Sequence, residues 1–249
     1  MKKSLSVQLY SFRDHLEHGY TSVIERIAEA GYTAVETAGY PGSTLKEAKK
    51  IFTDFGLQVS SMHGACPVGD DLQKVLDEAQ TLECNYVVAG AGPQEYSSPD
   101  AIERVCERWN EAAANMKEHG LIFAVHNHWW EFDDVEGKPA YKYMFDHLSD
   151  DVVFEIDTYW VKVAGCDPAE VLSEMGAKAP LLHIKDGSGV KDSPMLAVGK
   201  GVMDFKSIAE ASGPHSEWWI VELDHCDTDM AKAIEQSATY LIDNNYVQG

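Results

Sequence analysis

Apolar residues along this chain fall into short blocks whose period switches back and forth. Leu5-Ser-Val-Gln-Leu-Tyr10, Ala34-Val-Glu-Thr37, Leu57-Gln-Val-Ser-Ser-Met-His63 and Asn85-Tyr-Val-Val-Ala-Gly90 are brief and rich in β-branched and aromatic residues. So are Leu121 to Val125, Val152-Val-Phe-Glu-Ile-Asp157, Leu181-Leu-His-Ile-Lys185 and Trp218-Trp-Ile-Val-Glu-Leu223. Their length and composition predict strands. Between them the apolar residues recur at helical spacing. Val23, Ile24, Ile27 and Ala28 form one stripe, closed by Gly31. Helices are predicted over 45–55, 70–82, 99–119 and 138–148, then 159–163 with 168–175, 203–211 and 229–243. Gly56 and Gly120 stand where a helix would end.

Strand and helix therefore alternate eight times, at roughly 25 to 30 residues per unit. Strands apolar on both faces imply a parallel sheet covered by helices. Eight such units close a (β/α)8 TIM barrel of the α/β class, and a length of 249 residues is ordinary for one such barrel. The expectation is a single domain over 1–249. A doubly wound open sheet is disfavoured, because Tyr10-Ser-Phe-Arg13 after the first strand has no glycine for a phosphate turn.

Composition narrows the function. A net charge of -21 argues against nucleic acid and against anionic membrane surfaces. No apolar run approaches the roughly 20 residues of a membrane span. The start, Met1-Lys-Lys-Ser-Leu-Ser-Val, lacks the apolar core of a signal peptide, so a cytoplasmic protein is expected. Five cysteines without a CxxC pair read as reduced thiols. Barrels of this kind often pair through loops at the site mouth, so a homo-oligomer is compatible with the chain.

In a parallel barrel every strand's C-terminal end opens on one face, and that face holds the active site. The polar residues at those ends are Gln8 and Tyr10, Glu36, His63, His126 and His128, Asp157, His183 and Lys185, and Glu222. A buried carboxylate or imidazole costs several kcal/mol unless it is paired or metal-bound. The set is therefore either an ion-pair network or a site. Strand alternation puts His126 and His128 on one face and Asn127 on the other. Asp157, His183 and Glu222, with an imidazole or carboxylate from the fifth strand, make a mixed N/O site for one divalent ion. Mn, Mg, Co and Zn all suit such ligands. The ion would polarise a substrate carbonyl and stabilise an enediolate. Lys185 would hold a developing oxyanion, or else pair with Glu155 or Asp186. Glu36 and His63 would contact substrate. Trp129, Trp130 and Trp160 would give a substrate an apolar platform, or simply pack. Gly199-Lys-Gly201 follows the seventh strand, where barrels often bind phosphate, though such a loop also serves as a tight turn.

The order of these elements carries a resemblance. Glu36, His63, the run from His126 to Phe132, Glu155-Ile-Asp157-Thr-Tyr-Trp160, His183-Ile-Lys-Asp186, Gly199-Lys-Gly201-Val-Met-Asp204-Phe and Val221-Glu222 together resemble the sugar phosphate isomerase/epimerase family. That family belongs to the xylose isomerase-like TIM barrel superfamily, which also contains endonuclease IV. The match spans nearly the whole chain. Its HxKD and GxGxxDF elements mark the family and not a substrate. The resemblance implies that Asp157, His183 and Glu222 bind the metal, with a fourth ligand that is usually a strand-five glutamate. Here His126 stands in that place, with Glu131 five residues on. The expectation is then His126 as ligand, His128 as free base, Glu222 as ligand and acid/base, and Glu131 holding substrate hydroxyls. The implied activity is metal-dependent isomerisation or epimerisation of a small sugar or keto-sugar. Two alternatives accompany it: a lyase or dehydratase of a keto-inositol or 3-keto-glycoside, and a non-catalytic sugar-binding barrel. Endonuclease IV chemistry is excluded by the charge and by too few strand-end histidines.

Overall fold

The structure, a computed structural model, describes residues 3–248. Eight parallel strands form its centre: β1 (Lys3–Gln8), β2 (Ala34–Thr37), β3 (Gln58–His63), β4 (Tyr86–Ala89), β5 (Ile122–His126), β6 (Val152–Asp157), β7 (Leu181–Ile184) and β8 (Trp218–Val221). Each pairs with the next, and β1 pairs with β8 as well as β2, which closes the barrel. A two-residue strand, Val247–Gln248, adds to the start of β1. The helices are α1 (Arg13–Glu29), α2 (Leu45–Asp54), α3 (Leu72–Leu82), α4 (Pro99–Glu118), α5 (Ala140–His147), α6 (Thr158–Val163), α7 (Pro168–Met175), α8 (Phe205–Ser212) and α9 (Met230–Asp243). The chain is thus a (β/α)8 TIM barrel, as its periodicity implies. Among the described residues, no helix is long and apolar enough to cross a membrane.

Side-chain alternation builds two cores. Leu5, Val7, Val35, Val87, Phe123, Val125, Phe154, Ile156, Leu182, Ile184, Trp219 and Val221 join the apolar stripes of the helices in one large cluster. The intervening residues of the same strands point inward. Near the strand starts these are apolar, with Tyr86, Val88, Ala124, Leu181 and Ile220 forming a separate cluster. Near the strand ends they turn polar. Register places Gln8 beside Glu36, His126 beside Glu155, and Asp157 beside His183. The apolar floor thus carries a layer of ionisable side chains at the C-terminal mouth.

Local signals set the helix ends. Thr44 and Glu47 form a reciprocal capping box at α2, and Ser98 with Pro99 opens α4. Gly31, Gly56 and Gly120 take the positive φ their places predict. The first helix departs from expectation. It begins at Arg13, ahead of Gly19, and kinks at that glycine, because buried Leu16 extends the apolar stripe backwards. Helix α8 starts two residues later than its period suggests, where Asp204 accepts the Ser207 N–H.

Candidate active site

Glu155 lies at the centre of the polar layer and is wholly buried. Its Oε2 is 3.0 Å from His126 Nδ1, 3.2 Å from His183 Nε2 and 4.0 Å from His63 Nδ1. Glu36 Oε1 lies 2.8 Å from the same His183 nitrogen. Gln8 and Ser61 donate to the two Glu36 oxygens. The other His183 nitrogen, Nδ1, faces Glu222 Oε2 at 2.8 Å and Asp157 Oδ2 at 4.0 Å. Lys185, just past β7, places its Nζ 3.0 Å from Asp157 Oδ2, 2.6 Å from Glu222 Oε2 and 2.8 Å from Asp224 Oδ2. These carboxylates, and not Glu155 or Asp186, are its partners. The Asp157 main chain is anchored too: its N–H donates to Asn127 Oδ1 at 2.9 Å, and its Oδ1 accepts the Trp160 N–H at 2.9 Å.

Burial and neighbours set the charges. Burial pushes the His63 imidazole down and the His126 imidazole well below the usual range, which leaves each a lone pair to donate. Burial also opposes charge on His183, but Glu155, Glu222 and Glu36 outweigh it and hold that imidazole well above its ordinary value. Glu155 goes up, through burial and then through the Glu36 charge. Glu36, despite burial, is pulled down to about 2 by His183. Burial likewise opposes ionisation of Glu222, but Lys185 and His183 hold its carboxyl below the carboxylate range. Burial raises Asp157, and Lys185 counteracts part of that rise.

These donors fit a divalent ion. Three groups each keep their ligand atoms within 4.8 Å of one another: His126 with Asp157 and His183, His63 with His126 and Glu155, and Glu36 with Glu155 and His183. Glu155 Oε1 is buried without a hydrogen-bond partner. An orphaned carboxylate oxygen of this kind, among imidazole and carboxylate neighbours, is what a hard or borderline cation satisfies. Of the four expected ligands, His126, Asp157 and His183 share one group, while Glu222 stands against Lys185 and His183.

Above this layer opens a cavity of about 580 Å³, with His63, His126, His128, Trp160, Lys185, Glu222 and Asp224 in its wall. His128 stacks on Trp130 at 4.1 Å between ring centroids, and its Nδ1 has no hydrogen-bond partner. Glu131 does not line the cavity wall. It is 1 % exposed, accepts the His128 N–H at 2.8 Å and lies 4.0 Å from His128 Nδ1. Trp129 packs on Trp160 at 4.9 Å and carries Lys191 over its ring at 4.2 Å. Glu36 is wholly buried against His183 and does not line the cavity.

Two site residues fall outside the set read from the sequence. Glu155 has a legible signal, since its two-residue spacing from Asp157 puts both side chains on the inner face of β6. Asp224 has none, because it lies beyond the end of β8, where periodicity says nothing.

The model of the xylose isomerase-like TIM barrel family matches residues 24–243. A sugar phosphate isomerase/epimerase from Parabacteroides distasonis is similar at 26% identity, with a TM-score of 0.84, covering 100% of this chain and 96% of that one. A D-psicose 3-epimerase solved in the presence of D-fructose superposes at a TM-score of 0.73 with 17% identity, covering 100% of both chains. The IolI protein, solved with a bound zinc atom, superposes at 0.72 with 16% identity, covering 98% of this chain and 97% of that one. No curated protein sequence matches the chain.

Proposed function

The chain belongs to the xylose isomerase-like TIM barrel family, and from that premise we propose that it is a divalent-metal-dependent isomerase or epimerase of a small sugar or keto-sugar. The observation that carries this reading is the convergence of Glu155, Asp157, His126, His183 and Glu222 beneath one open cavity. A purely structural ion-pair network has no need of a 580 Å³ cavity over it, nor of a buried carboxylate oxygen, Glu155 Oε1, left without a partner. The bound zinc of IolI and the ketose beside the psicose epimerase support the same class of chemistry for this barrel.

His126, Asp157 and His183 would hold the ion, with Glu155 and Glu222 beside them. When bound, a divalent ion polarises a carbonyl and acidifies the adjacent C–H. Glu222 lines the cavity and is kept ionised, so it takes and returns the proton. Its depressed pKa makes it a weak base, and the role therefore requires a substrate carbon beside a carbonyl. His128 is the second acid/base group. Glu131 is a positioning residue that fixes the His128 backbone. Lys185 has three donors, and all three face carboxylates. We therefore assign it to holding Glu222 ionised in place of binding an oxyanion. His63 and Trp160 contact the sugar.

An imidazole where relatives use a strand-five carboxylate favours one further reading, a lyase or dehydratase. There, loss of a proton beside the carbonyl expels an oxygen substituent from the next carbon. Metal-loaded protein incubated with a ketose panel in D2O separates the two. Deuterium at the carbon next to the carbonyl, with an epimer or aldose formed, is the expected NMR result. A new enone absorbance would move the assignment to the lyase. Neither exchange nor elimination across the panel would defeat both.

A further inference from the structure

The loop after β7 decides whether the sugar can carry a phosphate. Barrels of this architecture often bind phosphoryl groups there, on backbone N–H groups. In this chain those N–H groups already have an anion. Gly187 N and Met203 N donate to Asp186 Oδ1 at 2.9 and 3.2 Å, while Gly199 N and Gly201 N each donate to Oδ2 at 2.9 Å. Asp186 is wholly buried. A Cβ on Gly201 would fall 2.1 Å from Asp186 Oδ1 and 2.2 Å from Gly187 O, so carboxylate and loop are in direct contact with no room between them. An internal carboxylate fills the seat a phosphoryl group would take.

Cavity charge points the same way. Among the described residues, Lys185 is the one lysine or arginine in the wall, and three carboxylates already surround it. Glu222 and Asp224 line the cavity, and Glu36, Glu155 and Asp157 are buried in the layer beneath. Asp157, Glu222 and Asp224, at 3.0, 2.6 and 2.8 Å from the Lys185 ammonium, already more than compensate its single charge. Arg13, near the mouth, donates to the carbonyls of Tyr10 at 2.9 Å and Asp224 at 2.7 Å and lies over the Tyr10 ring. Lys191 lies over Trp129.

We infer that this site takes an uncharged sugar and rejects its phosphate esters, because Asp186 occupies the phosphate seat and Asp224 repels anions at the mouth. The inference rests on the sugar reading above. Its test is a titration of the metal-loaded protein, followed by tryptophan fluorescence because Trp160 lines the cavity. The probes are D-fructose and other free ketoses, D-fructose 6-phosphate and the matching esters, and inorganic phosphate. A free ketose should bind at least about tenfold more tightly than its ester, since like charges brought together oppose binding. Asp224→Asn should narrow that gap, and so should raising the salt. An ester that binds as tightly as its ketose, or millimolar inorganic phosphate that displaces the ketose, would overturn the inference and leave the sugar reading intact. If no free ketose and no ester binds, the sugar reading itself fails and takes the inference with it.

Discussion

At the scale of single residues, two positions concentrate most of the constraint. Gly201 is required by contact, since any side chain there meets Asp186 and the Gly187 backbone at once. Gly201→Ala should lower stability by about 2 kcal/mol or more, through overpacking and displacement of a buried hydrogen-bonded carboxylate. Urea denaturation measures it, and an unchanged midpoint would contradict the packing described. Lys185 is the second position. Its ammonium is buried among Asp157, Glu222 and Asp224. Removing one partner of a buried ion cluster leaves the others uncompensated, at about 3–5 kcal/mol. Lys185→Met should therefore destabilise the fold by that order in thermal or urea unfolding at neutral pH. A variant as stable as the parent would mean that the three carboxylates do not depend on it.

At the scale of elements, the segment after β5 shows how a side chain reaches the site by an unexpected route. Alternation along a continuing strand puts His126 and His128 on one face. The strand ends at His126 instead, and the chain turns into a short helical turn over Trp130–Phe132. The two imidazoles still meet, with ring centroids 5.0 Å apart and planes at 88°. Asn127 makes this turn possible, because its amide binds the His128 and Asp157 carbonyls and the Asp157 N–H. Glu131 then holds the His128 backbone from below. His128→Asn should reduce kcat by about 10²-fold with the metal content unchanged. Glu131→Ala should reduce kcat by a smaller factor, about tenfold, and leave KM nearly constant, because the side chain does not touch the cavity. Steady-state kinetics on the pair tests this. A Glu131→Ala variant altered mainly in KM would return Glu131 to substrate binding.

At the scale of the whole molecule, the surface carries a large excess of negative charge. With 41 Asp and Glu against 20 Lys and Arg, the compact state repels itself. Salt screens that repulsion over a Debye length of about 8 Å at physiological ionic strength. The melting temperature should accordingly rise between about 0.02 and 0.5 M NaCl, as differential scanning fluorimetry would show. A fall over that range would mean that the surface ion pairs, such as Lys117 with Asp151, outweigh the excess. The same charge opposes polyanions at long range, in accord with a small neutral ligand.

The barrel is legible in the chain's periodicity, and with it the face on which the polar strand ends gather. Period, glycine stops and strand length are local properties, and eight repeats of them admit few closed arrangements. The sequence also points to Asp157, His183 and Glu222, because each ends a strand. Which of these polar groups touch depends on the folded barrel. Glu155 and Glu36 both meet His183 because β2 and β6 face each other across the closed barrel, a relation between residues 119 positions apart that no local pattern carries. Lys185 turned to Asp157, Glu222 and Asp224 for a similar reason, since three carboxylates from separate segments offered it more compensation than any near neighbour in the chain. As a string of residues, the glycine loop after β7 reads equally as a phosphate site or a tight turn. Folded, its N–H groups closed on Asp186, the acceptor nearest to them in space.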